Sequence, residues 1–208
     1  MDKKDKDWLE SMISSVSIPS EDIPDIELYM DQVTTFMDTR LDPARRYPDD
    51  KILTRTMINN YTKNRLLPPS VKKKYSKEHI YMLIFIYHLK NMLSISDIQT
   101  LLEPLADSFF YGQPQTGLSL KDIYDRVIGM CSDRFPDIES DLLNTLECTE
   151  NSFEDSELTE EEDRYLDYFS FIYQLCYDIY IRKQLIERLI DNYRDTHKNE
   201  KGKKKKNS

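Results

Sequence analysis

Glycine is nearly absent from this chain, with four in 208 residues. Tight turns between strands draw on glycine for their left-handed positions, and runs of Val or Thr are also few. These shortages argue against a β-sandwich or a tightly turned α/β sheet and predict an all-α chain. Apolar residues make up 39% of it. That is low for a globular protein, but Leu, Ile, Tyr and Phe supply enough for a core. The length fits one domain or two small ones.

Apolar spacing places the helices. In "IPDIELYMDQVTTFMDTRL", Pro24 suits a first turn, and Ile26, Tyr29, Met30, Val33, Met37 and Leu41 recur at helical intervals. "DPARRYPDD" breaks the pattern as a loop. Thr54 caps a second helix. Met57, Ile58 and Tyr61 face inward, Leu66 and Leu67 close the end, and Arg55, Thr56, Asn59, Asn60, Lys63 and Asn64 face outward. "PPSVKKKYS" opens on two prolines, which forbid a helix there, and forms an extended turn. Ser76 caps a third helix, "KEHIYMLIFIYHLKNML". Ser94 and Asp97 form a capping box for a fourth, "SISDIQTLLEPL", whose end Pro104 marks.

Past the loop "FFYGQPQTGL", the segments "SLKDIYDRVIGMC" and "DIESDLLNTLEC" read as amphipathic helices, and "TENSFEDSE" as an acidic connector. A capping box of Thr159 and Glu162 opens a long helix through Tyr193. Its Tyr, Phe, Leu and Ile occupy most of its circumference, and such helices are buried. A domain core, a dimer interface and a small-molecule pocket all satisfy that requirement. The expected organisation is a flexible N-terminus over 1–22, a helical domain over 23–104, a second over 105–196 holding the aromatic helix, and a disordered Lys-rich tail over 197–208. The aromatic helix is expected at the centre of the second domain, packed by the helices near 119–131 and 137–148.

Charge is segregated. The net charge is -9, yet residues 51–90 hold 9 basic and 1 acidic side chains, whereas residues 91–197 hold 8 and 23. A charge run is usually a solvated face. An excess of this density repels itself unless acidic segments of the chain or an external polyanion neutralise it. Asn is a poor helix former, so the adjacent Asn59 and Asn60 on an exposed face also invite a functional reason. Asn reads adenine, and Arg and Lys read guanine or hold phosphate. Arg55, Thr56, Asn59, Asn60, Lys63, Lys72, Lys73, Lys74 and Tyr75 are therefore the candidate contacts to double-stranded DNA.

Other chemistries find no footing. The three histidines have no metal-ligand spacing. P-loop, GxGxxG and GxSxG motifs are missing, so no enzymatic activity, metal or cofactor is expected. Cys131, Cys148 and Cys176 form no CxxC pair and read as free thiols in a reducing cytosol, packed as small core residues. "MDKKDKDWLESM" lacks the apolar stretch of a signal peptide. "YMLIFIYHL" is too short to span a bilayer, which takes roughly 20 residues. A cytoplasmic location is expected.

"TRTMINNYTKNRLLPP" resembles the recognition helix and following turn of the MerR family, Ser-x-x-Thr-Leu-Arg-Tyr-Tyr-Glu-x-x-Gly-Leu-Leu-Pro-Pro. Thr54 stands at the capping Ser, Ile58 at the Leu, Tyr61 at the second Tyr, and Leu66, Leu67 and Pro68 at the Leu-Leu-Pro. "KKYSKEHI" resembles the Arg-x-Tyr-Ser-x-x-x-Leu that follows the MerR wing, and "SISDIQTLL" its Ser-Leu-x-x-Ile-x-x-Leu-Leu. The wing here is shorter and lacks the family's Asn-Gly turn. The region 23–104 is still more similar to a bacterial domain-of-unknown-function family, DUF1836, through "TMINNYTK", "LPP" and "KKYS". The MerR resemblance implies a winged helix-turn-helix and a dimeric, sequence-specific transcriptional regulator. The alternative is a helical adaptor whose basic face docks on an acidic protein.

Overall fold

The computed structural model describes residues 17–112, 117–150, 152, 153 and 158–206, besides Asp7 and Ser11, and for 198–206 the backbone alone. The fold is mainly helical, as glycine scarcity predicts. In chain order it has strand β1 (Leu28–Tyr29), helix α1 (Met30–Arg40), α2 (Arg55–Lys63), strand β2 (Lys74–Tyr75), α3 (Lys77–Leu89), α4 (Ile95–Ala106), α5 (Leu120–Asp133), α6 (Phe135–Thr149) and α7 (Glu160–Lys206). Its one sheet among the described residues is a two-stranded antiparallel ribbon, with Leu28 opposite Tyr75 and Tyr29 opposite Lys74. The chain divides into two compact units at Ser132/Asp133. Among the described residues no helix is long and apolar enough to cross a membrane.

In the first unit α3 is the hub. Its run of Ile80, Tyr81, Met82, Leu83, Ile84 and Ile86 is buried, so it is apolar on every side because it is enclosed on every side. Val33 and Met37 of α1, Ile58 of α2, and Ile98 and Leu102 of α4 complete the core. Tyr124 of α5 lies against Tyr81, with ring centroids 4.5 Å apart, and its hydroxyl donates to the Ile18 carbonyl at 2.6 Å. Burial pushes the Tyr124 hydroxyl well above its usual range.

Several expectations are corrected here. The first helix was expected over 23–41, but it begins at Met30. Leu28 and Tyr29 are recruited to the ribbon, and the Tyr29 N–H is capped by Gln32 Oε1 at 2.9 Å. Ile26 is consequently exposed. Most of the flexible N-terminus expected over 1–22 lies outside the described residues, but its end is packed, with Ile18 and Ser20 buried. Pro104 does not end α4. It sits inside the helix, which widens into a π-helical turn at Asp107–Tyr111. Helix α5, expected beside the aromatic helix, belongs to the first unit, where Tyr124 anchors it.

In the second unit α6 packs along α7. Thr159 and Glu162 form the expected capping box: Thr159 N–H and Oγ1 both donate to Glu162 Oε2, and Glu162 N–H donates to Thr159 Oγ1. The helix runs to Lys206, through most of the tail expected to be disordered. Lys is a good helix former, and Gly202 is the only breaker there. The remaining tail residues, 207 and 208, lie outside the described residues. So do 151 and 154–157 of the acidic connector and 113–116 of the loop before α5. Among the described residues, much of the aromatic helix is not buried. Tyr165, Tyr168, Phe169, Tyr173, Tyr177 and Tyr180 are exposed. The three cysteines, expected in the core, are free and exposed on α5, α6 and α7.

Candidate nucleic-acid interface

The candidate surface is built from α2 and the turn behind it. Thr54 caps α2 by accepting the Met57 N–H at 3.2 Å. The chain entering that cap is held by Lys90 at the end of α3, whose Nζ donates to the Ile52 carbonyl at 2.8 Å. Burial lowers the Lys90 ammonium below its usual range. The two faces of α2 divide as its periodicity predicts. Ile58 is buried and Met57 and Tyr61 half-buried, while Arg55, Thr56, Asn59, Asn60, Lys63 and Asn64 are exposed.

The helix ends in a Schellman motif: Leu66 N–H donates to the Tyr61 carbonyl at 2.9 Å, and Arg65 N–H to the Thr62 carbonyl at 3.1 Å. The left-handed residue this motif requires, usually glycine, is Arg65, with φ 59°. Past Pro68 and Pro69 the chain makes a two-residue hairpin. Val71 and Lys74 exchange N–H···O=C bonds of 3.0 and 2.9 Å, and the corner residues Lys72 and Lys73 have φ of 49° and 66°. Positive φ at both corners defines a type I′ turn, which favours Asn-Gly. All the non-glycine residues with positive φ among those described are therefore basic, and all lie in the basic block. Each such residue costs about 1–2 kcal/mol relative to a right-handed conformation.

His79 ties the turn to α3. Its Nδ1 accepts the Ser76 N–H at 3.1 Å, and its Nε2 lies 3.4 Å from the Pro69 carbonyl. Both contacts are met by the neutral ring protonated on Nε2. The ring is buried edge-on to Tyr75 and Phe110, and burial lowers its pKa.

The block's positive charge is partly neutralised within the chain. Lys74 Nζ is 3.6 Å from Glu27 and over the Tyr29 ring, and Lys77 Nζ is 3.7 Å from Asp25. Arg55, Lys63, Arg65, Lys72 and Lys73 make no ion pair among the described residues. The Asn59 and Asn60 side-chain amides make no hydrogen bond there either.

Of the residues singled out in the sequence, Arg55, Thr56, Asn59, Asn60, Lys63, Lys72 and Lys73 are exposed. Lys74 is half-buried and engaged, so the Lys triplet does not act as one unit. Tyr75 is 4% exposed: it alternates inward on β2 opposite Leu28, and its assignment as a contact is withdrawn. Arg65 was missed, and its position directly before Leu-Leu-Pro-Pro, where a helix-ending glycine is usual, was the available signal.

A mainly helical fold presenting a cation-bearing helix and hairpin is thus the class this chain defines. Residues 18–127 match the model of a family described as a domain of unknown function, DUF1836, and the chain belongs to that family. No curated protein and no solved structure matches it.

Proposed function

We propose that this protein is a cytoplasmic, non-enzymatic transcriptional regulator that binds double-stranded DNA as a homodimer. In this reading α2 enters a major groove in the manner of MerR-type proteins. Asn59 and Asn60 read base edges, Arg55, Thr56 and Lys63 flank them, and the hairpin acts as a short wing with Lys72 and Lys73 on the phosphates. The observation that carries the reading is the trio of basic residues at left-handed positions. Glycine or asparagine would hold the same backbone at lower cost. Lysine and arginine there are accounted for by a polyanion that needs their charge.

A second reading has one observation in its favour. Lys74 and Lys77 already take carboxylates from Glu27 and Asp25, so the same surface suits an acidic protein partner. The test is the affinity of the full chain for a random duplex across a salt series. The regulator predicts a log–log slope of several units, about 0.9 for each phosphate neutralised. No binding to duplex at low salt refutes it in favour of the adaptor.

A further inference from the structure

Helix α7 carries an uncharged stripe on one side. Tyr165, Phe169, Tyr173 and Tyr177 follow at four-residue spacing with Cys176 and Tyr180 beside them, and between 165 and 180 no charged residue falls on this side. The four ladder residues are 62%, 50%, 61% and 57% exposed. Successive rings lean on each other, with centroids 6.3 Å apart for Tyr165–Phe169 and 5.9 Å for Phe169–Tyr173. The cleft between α6 and α7 is lined from α7 by Leu175, Asp178, Ile179 and Arg182; Leu175, Asp178 and Arg182 lie on the other side of the helix from the ladder, and Ile179 at its flank.

The size and chemistry of the stripe indicate what covers it. An aromatic side chain buries about 150–250 Å², so the five aromatic residues of the stripe, each half exposed or more, leave roughly 600 Å² open on each chain. Monomers rarely leave more than a few hundred Å² of apolar patch uncovered. Two such stripes face to face bury roughly 1,200 Å², where specific interfaces begin. The charges at the stripe's ends differ: Glu160, Glu161, Glu162 and Asp163 precede it, followed by Arg164, and Lys183, which pairs with Glu187 at 3.7 Å, follows it on the same side.

We infer that the stripe is the homodimer interface, with two α7 helices packed antiparallel so that Phe169 of each copy lies against the partner's Tyr173. This order sets the acidic start of each stripe near Lys183 of the other. It also opposes the helix dipoles favourably. A parallel pair would stack acid on acid. The inference deepens the proposed dimer by naming its surface, but it does not depend on DNA binding.

Sedimentation equilibrium of the full chain at micromolar concentration tests it. The wild type is expected to dimerise. Tyr173→Glu is expected to weaken association at least tenfold with an unchanged circular dichroism melt, since the side chain is exposed. Tyr47→Glu, exposed in the first unit, is expected to have no effect. A monomeric wild type, or a dimer that survives Tyr173→Glu, overturns the interface.

The direction is tested with Cys131→Ser/Cys148→Ser, which leaves Cys176 as the only thiol. Antiparallel packing offsets the two Cys176 residues by about 15 Å along the axis, beyond disulfide reach. Rapid interchain crosslinking under mild oxidation overturns the antiparallel order. A stripe-dependent dimer that ignores duplex DNA at low salt refutes the regulator and leaves the interface standing.

Discussion

Replacing Lys73 by glycine should make this protein more stable and worse at holding phosphate. Lys73 is a corner of a type I′ turn at φ 66°, where glycine sits without steric penalty. Relieving a left-handed side chain gains about 1–2 kcal/mol. The extra freedom of glycine in the unfolded chain returns about 0.5–1 kcal/mol of that. The net expectation is about 0.5–1 kcal/mol of added stability, or roughly 2–5 °C in Tm for a unit of this size. Removing a charge from a crowded basic block also adds stability, so Lys73→Gln is the control. It deletes the charge and keeps the side chain at positive φ. Urea titrations should place Lys73→Gly above Lys73→Gln, and Lys73→Gln level with or slightly above the wild type. On duplex DNA both variants should flatten the log–log salt slope by about 1. If glycine and glutamine variants are equally stable, the backbone is not strained there. An unchanged salt slope in both removes the hairpin from the phosphates.

Asn59→Ala and Asn60→Ala are each expected to cost roughly 1–3 kcal/mol on a duplex obtained by selection, with little change on random duplex; equal losses on both would show that the pair does not read sequence. Acid should weaken the first unit through His79. Its folded pKa is lowered, so the unfolded chain binds the proton more readily. The stability that neutral His79 contributes is present above the unfolded value of about 6.5 and is lost as pH falls from there through the folded pKa, by at most about 1.4 kcal/mol per pH unit. Melts at pH 7.5 and 5.5 should separate more for the wild type than for His79→Gln, and equal separation would refute the assignment.

The features legible in the sequence were local ones. Thr54 as a cap, Ile58 inward, and Arg55, Asn59 and Lys63 outward all follow from a 3.6-residue period and one capping oxygen, information held within a dozen residues. What stayed hidden depended on partners far along the chain. Leu28 pairs with Tyr75 across 47 residues, and that pairing shortened the first helix and turned Tyr75 inward. The hairpin corners were masked by their own chemistry, because lysines carry no turn signal. Helix α7 was legible in another sense: its apolar circumference demands a cover, and the sequence leaves core, dimer interface and pocket open as the source of it.

The bond from the Tyr124 hydroxyl to the Ile18 carbonyl joins residues near the two limits of the family-matched span, 18–127. It closes the span like a clasp, so Ile18 at its start lies beside Tyr124 near its end. Cutting the chain after Ile18 strands a buried phenol without an acceptor, at about 1–3 kcal/mol. A unit whose ends meet can also be spliced between segments of another protein with little disturbance to its host, and evolution can move such a piece between architectures without reopening its core.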